Sequence, residues 1–200
     1  MRIFFQEEKK LLIVTPYLCG STYLAVKCNK FSLTSLVPQR GNKLLHEILN
    51  TEEITKQFIY RDPIERYFSF YSKFIFQPKD DIDNSDLKNF IPKKRQKNFW
   101  DDMYESLSNL KDIYMDDRHT WPQYSFFQEF SQNEGQYEIY SLDEYSKWLY
   151  LTFGVKETIP EHSYEKYEVT NFFKALKIYD KIKTLYKIDY DKLQSLVIPL

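Results

Sequence analysis

The stretch that decides the fold runs Phe58-Ile59-Tyr60-Arg61-Asp62-Pro63-Ile64-Glu65-Arg66-Tyr67-Phe68-Ser69-Phe70-Tyr71. Phe58, Ile59 and Tyr60 are a short run of strand-forming residues, which reads as a β-strand. Asp62 can cap the next helix, Pro63 takes its first position, and Glu65 stands three residues after the cap. Ile64, Phe68, Tyr71 and Ile75 then recur at helical spacing as one apolar stripe. The segment is strand, tight turn, helix, and its turn carries an arginine.

The same unit occurs upstream and downstream. Leu11-Leu12-Ile13-Val14 is a continuous apolar run, as in a strand covered on both faces. It ends at Pro16 and passes through Gly20 into a helix marked by Leu24, Ala25 and Cys28. Tyr137-Glu138-Ile139-Tyr140 is a third strand; Ser141 and Glu144 form a capping-box pair for a helix that continues through Tyr145, Trp148/Leu149 and Thr152 and stops at Gly154. Phe99/Trp100, Met103, Leu107 and Leu110 mark an amphipathic helix. A last helix runs from about Asn171 to Tyr186, with Phe172, Leu176, Tyr179 and Tyr186 on one face. Strands alternating with helices predict an α/β fold, three-layer, with a mainly parallel sheet flanked by helices, as a single domain over residues 1–200.

Composition removes several classes. A net charge of −1 gives no basic field for general nucleic-acid binding, and a 42% hydrophobic content excludes a disordered chain. No apolar run reaches the ~18 residues of a membrane span. The start, MRIFFQEEKK, has charges where a signal peptide needs an apolar core, so a cytoplasmic location is expected. Two cysteines, Cys19 and Cys28, make no disulfide framework, and three histidines without cysteine or carboxylate partners at ligand spacing give no metal site. Residues 77–98 run from Asp80, Asp81, Asp83 and Asp86 to Lys93, Lys94, Arg95 and Lys97, either a solvated loop or a flap with a basic end.

Two strand-to-helix turns in the first 70 residues are compatible with phosphate, because ligands of open parallel sheets sit beyond the C-terminal strand ends, near helix N-termini. The first, Pro16-Tyr17-Leu18-Cys19-Gly20-Ser21-Thr22, lacks the Gly-Lys-Ser/Thr of a nucleotide triphosphatase loop. The second, Arg61 to Tyr71, resembles the 3′-phosphate segment of sulfotransferases: Arg-Asp-Pro, two residues, Arg, two residues, Ser, one residue, Tyr. The first loop is similar to that family's 5′-phosphosulfate loop, Pro-Lys-Thr-Gly-Gly-Thr-Ser. Asp117-Arg118-His119-Thr120-Trp121-Pro122-Gln123 resembles the His-x-x-Pro-Gln of the carbohydrate branch (heparan and chondroitin type), as does Ile182 to Tyr190 that branch's C-terminal stretch.

The resemblance implies a P-loop-like sulfotransferase fold. The donor would be 3′-phosphoadenosine-5′-phosphosulfate, with no metal, and the acceptor a carbohydrate or glycolipid hydroxyl. It places Tyr17, Leu18, Cys19, Gly20, Ser21 and Thr22 on the 5′ phosphosulfate, and Arg61 and Ser69 on the 3′ phosphate. Arg66 and Tyr71 are either part of that site or structural, Arg66 through a carboxylate and Tyr71 through the apolar stripe. One position departs: the loop lysine of the family is Tyr17 here, a neutral phenol. Lys27 or the Lys93–Lys97 cluster can supply the missing charge, Tyr17 can donate to the sulfate, or the chain binds the nucleotide without transfer. His46, its neighbour Glu47, or His119 are the candidates for the base; His46 and His119 each have a structural alternative as an exposed or loop-anchoring histidine. Trp100, Trp121 and Tyr124 are candidate sugar-stacking residues, with core packing as the alternative for Trp100.

Overall fold

Leu11–Thr15 (β2) is buried along its whole length, as a continuous apolar run requires. A computed structural model describes residues 1–36, 42–76, 98–110, 118–131, 137–157 and 167–200. The excursion over 77–97, with Lys93–Lys97, lies outside the described residues, as do Asp117 and His162. The chain divides into two compact units: residues 1–62, 123–159 and 191–200, and residues 63–122 and 160–190.

The first unit holds a five-stranded sheet. Arg2–Gln6 (β1), β2, Thr34–Leu36 (β3), Thr55–Tyr60 (β4) and Tyr137–Ser141 (β5) lie in the order β3-β1-β2-β4-β5. β4 runs parallel to both β2 and β5, but β1 is antiparallel to β2 and to β3. The sheet is therefore mixed, which corrects the expectation of a mainly parallel one. The cause is the turn Glu7–Lys10, closed by Lys10 N–H donating to the Glu7 carbonyl at 3.0 Å with Lys10 at φ 47°. A connection that short returns the chain as a hairpin, whereas a parallel partner needs a crossover of about a dozen residues or more.

Helices flank this sheet. Ser21–Val26 (α1), Lys43–Asn50 (α2), Gln123–Phe130 (α5) and Tyr145–Phe153 (α6) belong to the same unit; Pro63–Phe70 (α3) and Phe99–Asn109 (α4) lie in the other. Side chains of a strand alternate between faces. On β4, Gln57 and Ile59 meet α6: Trp148 Nε1 donates to Gln57 Oε1 at 3.0 Å, and Ile59 shares a core with Leu24, Tyr145 and Leu149. Phe58 points the other way and meets Phe127 of α5 edge to face at 5.4 Å. The capping box expected at Ser141 forms only in part. Ser141 Oγ accepts from the Asp143 N–H, but Glu144 Oε2 accepts from the Leu200 N–H and closes a 3₁₀ turn before α6. Gly154 ends α6 at φ 72°, as expected.

The second unit is helical. α3 begins at Pro63, and Ile64, Phe68, Tyr71 and Ile75 are all buried, the last two on a wider π-type turn over Tyr71–Phe76. α4 buries Phe99, Trp100, Met103 and Leu107. Phe172–Leu185 (α7) is capped by Asn171, whose side chain accepts from the Lys174 N–H. Its buried face is Ala175, Ile178 and Ile182; of the predicted stripe, Tyr186 is buried and Tyr179 half-buried, while Phe172 and Leu176 are exposed, which corrects the stripe at those two positions. A short helix, Lys187–Lys192 (α8), follows.

Arg66 organises this unit. It is 2% exposed, and its guanidinium donates to the carbonyls of His119 at 2.8 Å and Trp121 at 2.5 Å while lying over the Tyr186 ring. The Tyr186 hydroxyl donates to the carbonyl between them, Thr120, at 2.6 Å. Three successive carbonyls are thus satisfied by two buried side chains. Removing the guanidinium strands two of them, each worth about 1–3 kcal/mol. Arg66→Met is therefore expected to lose about 3 kcal/mol or more in urea unfolding, and a loss below 1 kcal/mol would contradict this role.

Candidate functional site

Because β2 and β4 are parallel neighbours, their C-terminal ends lie side by side, and each is followed by one of the two turns singled out in the sequence. The loop after β2 has an unusual backbone. Leu18 sits at φ 64° and Gly20 at φ 79°, with Cys19 between them outside the left-handed region. For leucine that conformation costs roughly 1–2 kcal/mol. Alternation of hand is also the backbone form that curls successive N–H groups round an anion. The Leu18 carbonyl accepts from Arg61 Nη1 at 3.0 Å, so the guanidinium after β4 is fixed against this loop. Arg61 is 4% exposed.

Gln123 fixes the backbone beneath that guanidinium. Its carboxamide pairs with both backbone groups of one residue: Oε1 accepts from Arg61 N–H at 2.9 Å, and Nε2 donates to Arg61 C=O at 2.6 Å. The same Oε1 accepts from the Cys19 thiol at 3.1 Å. Gln123 is fully buried. One side chain therefore holds the end of β4 and the loop after β2 in register. Gln123 is a positioning residue that sequence reasoning left without a role, although the Pro122-Gln123 pair had been part of a family-like element.

Gly20 is required twice. Its φ favours glycine, and a Cβ there would stand 3.1 Å from Tyr145 Cζ and Oη and 3.2 Å from Leu142. The Tyr145 hydroxyl is buried with no hydrogen-bond partner among the described residues, and burial pushes its pKa up, so the phenol stays neutral. Beyond Gly20, Ser21 is buried and Thr22 exposed at the start of α1, and Arg2 donates to the Ser21 carbonyl at 3.4 Å. The Tyr17 ring meets Phe126 edge to face at 6.0 Å. Lys27 is engaged with Glu157 at 3.7 Å and lies over the Tyr23 ring.

The remaining predicted residues belong to other elements. Ser69 is half-buried on α3 in the helical unit, with Arg66 and Tyr71. Tyr71 donates to the buried Asp102 carboxylate at 3.1 Å, and Arg66 bonds the His119 and Trp121 carbonyls. His119 lies in the same unit with its ring against Phe74 at 4.9 Å. His46 and Glu47 are exposed on α2, and His46 borders a cavity at the start of β4, whereas Arg61 follows its end. At ~3.3 Å per residue, the strand separates Lys56 from Arg61 by about 16 Å. Among the described residues no group of His, Cys, Asp and Glu is placed to hold a metal ion, and no helix is long and apolar enough to cross a membrane.

Two stability measurements test this geometry. Gln123→Ala leaves the Arg61 N–H and C=O and the Cys19 thiol without their partner, an expected loss of about 2–4 kcal/mol; Gln123→Glu sets a carboxylate against the Arg61 carbonyl and is at least as costly. A loss below ~1 kcal/mol for both would remove the clamp. Gly20→Ala is expected to cost about 1–3 kcal/mol. Tyr145→Phe, which deletes a buried unpartnered hydroxyl, is expected to be neutral or stabilising and to reduce the Gly20→Ala penalty in the double variant.

No family model matches this chain, and no curated protein or solved structure matches it either.

Proposed function

We propose that this protein is a sulfotransferase. It moves a sulfuryl group from 3′-phosphoadenosine-5′-phosphosulfate to a hydroxyl of a carbohydrate or glycolipid, on the three-layer architecture of that family. One observation carries the reading: Arg61 Nη1 reaches the Leu18 carbonyl, so the two donor-like motifs meet at the C-terminal ends of adjacent parallel strands. Ligands of such sheets bind there. Arg61 is the residue that the Arg-Asp-Pro motif assigns to the 3′ phosphate, and a guanidinium offers a planar fork for two phosphate oxygens.

In this reading the acceptor oxygen attacks sulfur as the bond from sulfur to the 5′-phosphate oxygen breaks, and the acceptor's proton passes to a base. The protein's task is alignment and stabilisation of the charge growing on the leaving phosphate. The Cys19 N–H is spent on the Pro16 carbonyl, so the N–H groups of Leu18 and Gly20 supply that stabilisation, and Tyr17 donates one hydrogen bond where the family has a lysine. His46 borders the cavity at the start of β4, the opposite end of that strand from Arg61, and stands apart from that step. Tyr17 also favours a second reading, a nucleotide-binding relative without transfer, since loss of one preorganised stabiliser commonly costs ~10²–10³ in rate.

Thermal unfolding with nucleotides tests recognition. 3′-Phosphoadenosine-5′-phosphate is expected to raise the melting temperature and ADP to leave it unchanged, with Arg61→Ala weakening the binding about 10–100-fold. Equal stabilisation by ADP removes the case for a 3′-phosphate site. Transfer from radiolabelled donor to a glycan panel then separates the two readings: transfer by the natural chain supports the enzyme, and transfer only after Tyr17→Lys supports the binding relative.

A further inference from the structure

A second polar site lies at the start of β4, away from Arg61. His46 and Asn50 of α2, Glu52 of the turn that follows, Lys56 of β4, and Glu129 and Phe130 of α5 border a cavity of about 340 Å³. That is the lower range of small-molecule pockets. Lys56 is only 6% exposed, yet its ammonium has no hydrogen-bond or ion-pair partner among the described residues. The side chains of His46, Asn50 and Glu52 likewise bond to nothing among the described residues.

His46, Asn50 and Glu52 are exposed at the rim, so their polar groups are open to a ligand. The Lys56 stem is packed while its ammonium opens to the cavity, so an ammonium that finds no anion in its own chain is placed to take one from a ligand. The charge balance narrows the choice. Glu129 is engaged in an interaction of its own, which leaves the Lys56 ammonium beside the Glu52 carboxylate, and a phosphate dianion would add its charge to that of Glu52. A single carboxylate is matched by Lys56, and Glu52 then needs a donor from the same molecule. Asn50 can donate or accept, and Phe130 provides an apolar wall for a carbon frame.

We propose that this cavity binds a small carboxylate carrying its own hydrogen-bond donors, either an ammonium, as in a free α-amino acid, or hydroxyls, as in a sugar acid. Lys56 holds the carboxylate, Glu52 accepts from the donors, and Asn50 and His46 fix the orientation. The site is independent of the sulfotransferase reading, since Lys56 lies at the other end of β4 from Arg61 and points to the other face of the sheet.

Isothermal titration of the full chain with mixtures of free amino acids, with glucuronate, and with acetate and inorganic phosphate as controls tests it. Saturable binding is expected in the amino-acid or the glucuronate arm, and whichever binds identifies the donor chemistry. Lys56→Met, which keeps the stem and removes the charge, is expected to weaken that binding at least tenfold and to leave the melting temperature of the ligand-free protein within a few degrees. Glu52→Gln, at an exposed position, weakens it too and serves as the readout if Lys56→Met does not fold. Arg61→Ala leaves this binding unchanged even if it abolishes nucleotide recognition. Absence of saturation by either arm up to about 10 mM, phosphate or acetate binding as tightly, or unaltered affinity in Lys56→Met or, where that variant does not fold, in Glu52→Gln would overturn the proposal.

Discussion

The pairing of the Gln123 carboxamide with the backbone of Arg61 is the constraint on which the strand-end region depends. β4 stops at Tyr60, where its ladder with β2 and β5 is spent. The next residue must still satisfy an N–H and a C=O in a buried setting, and an unmet group there costs as much as a lost hydrogen bond. Gln123 meets both at once, as a neighbouring strand would, and its oxygen also takes the Cys19 thiol. With the backbone fixed, the direction of the Arg61 side chain follows, and it ends on Leu18.

That bond also explains how leucine tolerates the left-handed region. The conformational cost at Leu18 is of the same order as one charge-assisted hydrogen bond, so the Arg61 contact offsets the strain it meets. Gly20 contributes differently. The volume its absent side chain leaves is filled by the Tyr145 ring, which joins the loop to the core under α6. The loop is held from one side by a guanidinium and from the other by a phenol.

Legibility in the sequence followed the range of the interactions. β2, β4 and β5, the start of α3 at Pro63 and the buried stripes of α3 and α4 were readable because runs, caps and helical periods are local. β1 was missed because Ile3-Phe4-Phe5 sits beside a charged tetrad, and that tetrad, read for targeting, is the hairpin turn that makes the sheet mixed. The first half of the α7 face was misjudged because the large apolar residues Phe172 and Leu176 outweighed Ala175 in the pattern, although the small residue lies against the core. Within the site, the two turns were legible, and the parallel pairing of β2 and β4 brings them together. The Gln123 clamp was not, since a contact across 62 positions between a side chain and a backbone leaves no periodic trace.

The parity of β4 accounts for the separate chemistry of its two ends. Even-numbered residues face α5: Phe58 meets Phe127, and Lys56 shares a cavity with Phe130. Odd-numbered residues face α6 and the loop after β2: Gln57 meets Trp148, Ile59 joins the Tyr145 core, and Arg61 reaches Leu18. Lys56 and Arg61 are five residues apart, so they differ in end and in face. The guanidinium bonded to the Leu18 carbonyl and the ammonium open to the cavity thus lie at opposite ends and on opposite faces of one strand. Five residues of strand put about 16 Å between them, too far for one small molecule to engage both, so the two ends of β4 are chemically separate by geometry alone.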